Sequence, residues 1–133
     1  VVAISPDSKA LYHAAAVMVS NQIVALADMG TALLVKCGFS EAAAAEALSP
    51  LLLGNAQSVA EKGAVNALTG PIERGDAQTV SKHLQEIRKF AAESTVGQDI
   101  LTAYTALSKQ LIRIAQQKHP QKDYKHLEKE LEQ

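Results

Sequence analysis

The stretch SPDSKALYHAAAVMVSNQIVALADMGTALLVKCG, residues 5–38, decides the fold. Ser5-Pro6-Asp7 reads as a helix start: a capping hydroxyl, a proline at the first position, then an acid favoured by the helix dipole. The helix can run to Cys37, where Gly38 supplies the C-terminal stop. That predicts a first helix of about 32 residues, ~48 Å long, well beyond the usual length. At about 100° per residue, Lys9, His13, Ser20, Asn21, Asp28 and Thr31 fall within roughly a 120° arc. Val17, Val24 and Val35 share that arc. The opposite side, formed by Leu11, Ala15, Met18, Val19, Leu26, Met29 and Leu33, is wholly apolar. The helix is therefore expected to bury most of its girth and keep one thin polar line. Such a line can simply face water, but a solvated face usually carries Glu and Lys. Neutral hydrogen-bonding groups among valines suit a pocket wall or a subunit contact.

Outward from this helix the chain continues in the same vein. Ala, Leu, Glu, Gln and Lys dominate, all good helix formers, and no period-2 stretch signals a strand. The expected fold class is all-α, a helical bundle with one very long first helix. Ser40-Glu41 opens a second helix ending near Leu48, and Ser49-Pro50 restarts a third that runs to Lys62 and stops at Gly63. Pro71–Arg74 makes one short turn. Asp76 caps a helix through Glu93, Ser94 to Gly97 is a break, and Asp99 to Lys118 forms the next helix. Its apolar stripe is Leu101, Tyr104, Leu107, Leu111, Ile114 and Ala115. Pro120 stops it, and the charged tail, residues 119–133, is expected to be a short, frayed helix.

The bulk numbers fit one domain. The chain has 133 residues, 47% hydrophobic and 20% charged, with a net charge of −1. That length buries a real core, and the balance carries no basic excess of the kind nucleic-acid partners select. The single cysteine, Cys37, leaves no intrachain disulfide and points to a reducing, cytoplasmic setting; it reads as a small buried residue at a helix end. The apolar run Ala14–Ala27 is broken by Ser20-Asn21-Gln22 and followed by Asp28, which argues against a membrane span. The first residue is not Met, and VVAI opens mid-flow, as expected of a piece of a longer protein.

ALTGPIERGD, residues 67–76, carries the glycine spacing of a phosphate-cradling loop at Gly70 and Gly75. That loop needs a preceding strand, a Lys after the second Gly, and then Ser or Thr. Here a helix end precedes it, Asp76 replaces the Lys and would repel phosphate, and Ala77 replaces the hydroxyl. The corner reads instead as a rigid helix connection, with glycines at unusual backbone angles and Asp76 as a cap. No Gly-x-Gly-x-x-Gly occurs, so the chain has no dinucleotide fingerprint of its own. The four histidines, His13, His83, His119 and His126, lack the spacing of paired zinc ligands on one helix, and no metal site is expected.

Three segments resemble a known family: KALYHAAAVMVSN (Lys9–Asn21), LSPLLLGNAQSVAEKGAVNALTGPIERGDAQTVSKHL (Leu48–Leu84) and DILTAYTALSKQLIRIA (Asp99–Ala115). They are similar to the C-terminal helical domain of a family of Rossmann-type NAD(P)-dependent oxidoreductases, a domain of unknown function. The resemblance implies wider relatives in ketopantoate reductase, pyrroline-5-carboxylate reductase and the 6-phosphogluconate dehydrogenase C-terminal fold. In these a nucleotide domain precedes an all-helical domain that dimerises and closes over substrate and nicotinamide. It further implies that VVAI is the connector from a nucleotide domain absent here, that NADP or NAD binds the fuller protein, and that this chain forms a homodimer. Several relatives carry a Lys and, one turn later, an Asn on the first long helix. Lys9 holds the comparable place, but the residue four on is His13.

The implied site residues are thus His13 and Lys9, either of which can act as general acid to a carbonyl oxygen, with Asn21 orienting the substrate. His13 has a competing role as a buried structural histidine. Asn55 and Thr69 shape the far wall of the substrate pocket or the dimer contact, and Arg74 reaches an acidic substrate or a cofactor phosphate. The alternative function is a non-catalytic helical self-association module that kept the fold and lost the chemistry.

Overall fold

The computed structural model describes residues 2–133; Val1, the first residue of the expected connector, lies outside the described residues. Every secondary-structure element described is helical. The chain divides into two compact units, one ending at Leu53 and one spanning Gly54–Gln133.

The first unit is built on the long helix. A 3-10 turn, Pro6–Ser8, leads into α1 (Lys9–Val19) and α2 (Asn21–Lys36), which together run as 31 residues from Pro6 to Lys36. Ser5 begins the helix without a capping side-chain bond to the backbone; its hydroxyl meets that of Ser8 at 2.9 Å. Ser20 disturbs the middle. Its Oγ donates to Ala16 O at 2.6 Å, and its backbone N–H reaches Val17 O at 3.3 Å. This back-bonding draws the side chain into the helix's own ladder and bends it. At the far end Gly38, with φ 96°, takes the left-handed conformation expected of it. Gly38 N–H bonds Val35 O at 2.9 Å and Phe39 N–H bonds Leu34 O at 3.1 Å, which together satisfy the last open carbonyls.

Helix α3 (Glu41–Ala67) corrects the expected break at Ser49-Pro50: one helix passes through Pro50. The proline removes a single ladder bond, and the Ala-rich turn before it and Leu51–Leu53 after it are strong helix formers. Ser40 Oγ caps the start by accepting from Ala43 N–H at 3.2 Å. Gly63 interrupts the helix where expected, with φ 76° and ψ 164°. Within the first unit α2 approaches α3 closely at Gly30, where an added Cβ would lie 3.1 Å from Leu48 Cδ1. Ala44 is fully buried. The expected burial of the first helix is absent: no residue of α1 or α2 is buried by this chain.

The second unit holds the main core. Helices α4 (Pro71–Arg74), α5 (Ala77–Glu93), α6 (Thr95–Lys118) and α7 (Lys125–Glu132) surround Leu68, Ile72, Val80, Leu84, Ile112, Ala115, Tyr124, Leu127 and Leu131. Helix α5 buries Val80, Leu84, Ile87 and Ala91 along one face, the helical period of an amphipathic segment. The break after α5 is narrower than expected. Ser94 alone leaves the helix, and its Oγ caps α6 by accepting from Gly97 N–H at 3.0 Å. A Cβ on Gly97 would sit 2.3 Å from Phe90 O, so the tight turn requires glycine there. The stripe on α6 is as expected at Ala115 and shifted elsewhere. Leu101, Tyr104, Leu111 and Ile114 are half-buried flanks and Leu107 is exposed, while Ile100, Ser108, Ile112 and Ala115 lie deepest.

The tail is not a frayed appendage. Tyr124, Leu127 and Leu131 enter the core, with Leu127 only 1% exposed. Their spacing places all three on one side of a helix. Leu127→Ala is therefore expected to destabilise the second unit by about 2–5 kcal/mol, the range for emptying a buried leucine site. Urea denaturation followed by circular dichroism measures it, and a loss no larger than at an exposed site would contradict the burial.

Candidate functional site

The residues proposed from sequence fall in two places. Lys9, His13 and Asn21 stand on the long helix of the first unit, and all three are exposed. His13 is thus not a buried structural residue. Lys9 and His13 are one turn apart and share a face. Asn21 lies 12 residues beyond Lys9, ~18 Å along the axis at a helix's rise. One small substrate can touch Lys9 and His13 together but not all three. Ser20 Oγ contacts Asn21 Oδ1 at 3.2 Å, which ties the amide to the bend. Cys37 is exposed at the helix end rather than buried.

Around these polar groups the helix is uncovered. Leu11 is 75% exposed, Met18 61%, Val19 72% and Val24 70%. None of the most apolar window of Pro6–Lys36 is buried. By length and composition alone this helix could cross a membrane, a test that a buried core helix or an N-terminal signal sequence passes equally well. Leu51 and Leu53 on α3 add 62% and 67% exposure to the same unit. Contiguous apolar surface on this scale is uncommon on monomeric soluble proteins.

In the second unit Asn55, Thr69 and Arg74 are all exposed. Thr69 and Arg74 flank the glycine corner, where Gly70 has φ 102° and Gly75 φ 74°. Asp76 caps α5: Thr79 N–H donates to its Oδ1 at 3.0 Å and Thr79 Oγ1 to its Oδ2 at 2.7 Å. These bonds from the Thr79 backbone and hydroxyl, helped by the charges of Arg74 and Lys82, hold the Asp76 carboxyl below its ordinary range. A carboxylate thus occupies the helix N-terminus that a phosphate would need.

The same corner gathers a polar knot that the sequence did not disclose. His119 Nε2 donates to Glu73 Oε1 at 2.6 Å, and Lys118 Nζ lies 3.9 Å from that oxygen while donating to Leu68 O at 2.7 Å. Tyr124 OH donates to Glu73 O at 2.8 Å. Lys122 Nζ stands 5.9 Å above the Tyr124 ring, within cation–π reach. The His119 hydrogen bond, then the charges of Lys118, His119 and Lys122, hold Glu73 below its ordinary value of 4.5 against the opposing effect of burial. Burial, then the Glu73 charge, pushes the Tyr124 hydroxyl up. The partners sit 46 to 51 residues apart, so no local spacing could have revealed them. Elsewhere His83 Nδ1 meets Tyr104 OH at 2.9 Å, the two rings edge-on at 87°.

A shallow groove of about 300 Å³ opens between α6 and α7, lined by Lys109, Ile112, Arg113, Gln116, Glu128 and Glu132. Gln116 Nε2 donates to Glu128 Oε1 at 3.2 Å across it. Its two cations and two carboxylates balance, and none of the proposed site residues lines it. The knot ties α4 to the chain beyond α6, the groove is a solvated face, and the long helix leaves Lys9, His13, Asn21 and much of its apolar side uncovered.

Residues 1–111 match the family model of a domain of unknown function (DUF2520), and the chain belongs to that family. No curated protein and no solved structure matches it.

Because the folded Glu73 carboxyl is depressed, its contribution to stability is present above 4.5 and is lost as pH falls through the lower folded value. Glu73→Gln is expected to flatten the acid limb of the stability curve. Urea midpoints between about pH 6 and pH 3 would show it, and parallel acid limbs for the two proteins would remove Glu73 from the account.

Proposed function

We propose that this member of the DUF2520 family is the self-associating, substrate-closing helical half of an NAD(P)-dependent oxidoreductase. The observation that carries self-association is the long helix itself, apolar on most faces with no buried residue on α1 or α2. The oxidoreductase part rests on the resemblance of the Lys9–Asn21, Leu48–Leu84 and Asp99–Ala115 segments. In this reading a preceding nucleotide domain holds NADP or NAD and delivers the hydride. A second copy covers the helix, and the small-molecule substrate lies against the polar line.

His13 and Lys9, one turn apart, supply the proton to the carbonyl or imine as it is reduced. Asn21, too distant to share their contact with a small substrate, positions a neighbouring segment or the partner. The exposure of all three in the single chain is compatible with walls contributed by other domains. Arg74 offers a charge for an acidic substrate or cofactor phosphate, and Asn55 and Thr69 offer further polar contacts.

The second reading, a self-association module without chemistry, is favoured by one observation. The three polar residues on the first helix are strung along ~18 Å rather than converging.

The test is NADPH oxidation by the protein carrying its nucleotide domain, screened against keto acids, imines and aldehydes. Saturable oxidation of one class is expected. His13→Ala should lower turnover about a hundredfold or more without loss of helical circular dichroism. Unchanged turnover would remove His13 from the site, and no oxidation with any class would leave the module reading. Light scattering of the 133-residue chain should give the mass of a dimer.

A further inference from the structure

We propose that the end of α6 and the chain beyond it strap the one-turn helix α4 in place, and that Tyr124 is thereby a positioning residue for Arg74; the consequence for binding rests on the role proposed for Arg74 above. Helix α4 is the four residues Pro71–Arg74. A single hydrogen-bonded turn does not hold itself together in water, because it fixes several residues for very few bonds. Gly70 and Gly75 bracket it with φ 102° and 74°, angles that other residues rarely adopt. Its buried side chain is Ile72. The turn is thus a short lever between two glycine pivots, pinned inward at one point. Arg74 is its last residue and is exposed, so the guanidinium goes where α4 goes.

The strap meets this lever at two carbonyls. Leu68 lies two residues before Gly70, and Glu73 two residues before Gly75. Carbonyls at the end of a helix lack a partner within it, and here side chains from far along the chain supply one. Lys118 Nζ donates to Leu68 O at 2.7 Å. Tyr124 OH donates to Glu73 O at 2.8 Å, and Lys122 Nζ reaches the same oxygen at 3.5 Å. His119 Nε2 adds its bond to the Glu73 carboxylate at 2.6 Å. A Cβ on Gly75 would lie 3.3 Å from Lys122 Cε, so the strap also covers the second pivot.

Tyr124 is the firmest of these points. It is 2% exposed and belongs to the core, whereas Lys118 and Lys122 reach their carbonyls on flexible stems. The bonds that wind α4 lie beside it. Arg74 N–H bonds Gly70 O at 3.1 Å, Gly75 N–H bonds Ile72 O at 3.0 Å and Asp76 N–H bonds Pro71 O at 2.8 Å. These three amides lose their acceptors when α4 unwinds, so their hydrogen exchange reports its opening.

Amide exchange in the 133-residue chain tests the strap. Tyr124→Phe keeps the buried ring and removes the bond to Glu73 O. It is expected to speed exchange at residues 74–76 about tenfold. Ile87→Val trims a buried site on α5 and lowers global stability. It should speed the slowest core amides and leave residues 74–76 unchanged. Exchange at 74–76 that Tyr124→Phe does not alter, or that follows the core amides in both variants, would overturn the strap.

Kinetics of the protein carrying its nucleotide domain test the positioning role. Arg74→Ala identifies the ligand concerned by the KM that it raises. Tyr124→Phe should raise that same KM severalfold with kcat unchanged. On the Arg74→Ala background it should add little, since both changes act through one contact. A KM effect of Tyr124→Phe that persists undiminished without Arg74 would overturn the positioning role. A KM that Arg74→Ala leaves unmoved would sink the reading of Arg74 and the positioning role with it, while amide exchange separately decides the strap.

Discussion

Apolar surface on the first helix is the constraint to which the rest of the first unit answers. Leu11, Met18 and Val19 each leave more than 60% of their surface in water. At about 25 cal/mol per Å² of apolar area removed from water, covering several such side chains is worth several kcal/mol. The chain supplies only part of that cover. Helix α3 approaches α2 at Gly30, where Leu48 lies against the backbone, and the opposite side stays open. In the reading proposed above, a second copy of the chain supplies the cover for that side.

The second unit solves the same problem internally. Val80 and Leu84 on α5, Ile112 and Ala115 on α6, and Tyr124, Leu127 and Leu131 around α7 close on one another. The matched family stretch ends at residue 111, yet Ile112, Tyr124 and Leu127 are among the most buried side chains of the core. The terminal helix therefore completes a core that the family stretch alone leaves open on one side. Glu73 holds this closure at its edge. Its side chain accepts from His119 and its carbonyl from Tyr124, so the short α4 is fastened to the chain beyond α6. That explains why a corner with the glycine spacing of a phosphate loop serves as an anchor: its acids at positions 73 and 76 are already engaged.

Much of the fold was legible because it depends on local chemistry. The long first helix, the stop at Gly38, the Asp76 cap and the glycine corner follow from residues a few positions apart. The errors share a cause as well. Pro50 reads as a restart because a proline usually ends a helix, but strong helix formers on both sides carried α3 through it. The α6 stripe held at Ala115 and along its half-buried flank but missed Ile100, Ser108 and Ile112, which lie deeper, and a buried serine gives no hydrophobic signal. The spacing of Tyr124, Leu127 and Leu131 was readable, yet the charges between them masked it. The Glu73 knot was not readable, since its members meet only after α5 and α6 have folded. For the site, sequence placed His13 and Lys9 together on one turn, but their exposure depends on what else the chain packs against them.

Of the surroundings open to the long helix, a second protein surface suits its polar groups better than hydrocarbon does. His13, Ser20, Asn21, Gln22 and Asp28 interrupt the run, and in a bilayer each would need a partner supplied by protein. Ser20 finds one in its own backbone through Ala16 O, whereas Asn21 and Gln22 carry more donors and acceptors than one neighbouring turn can satisfy. An interface between proteins tolerates such groups at its rim and pairs them at its centre. The bend at Ser20 separates α1 from α2 near the middle of the helix, so the two arms need not remain collinear when a partner is bound. In the reading proposed above the two tasks fall on different faces of the helix: a second copy covers the side of Leu11 and Met18, and the turn carrying Lys9 and His13 lies opposite it.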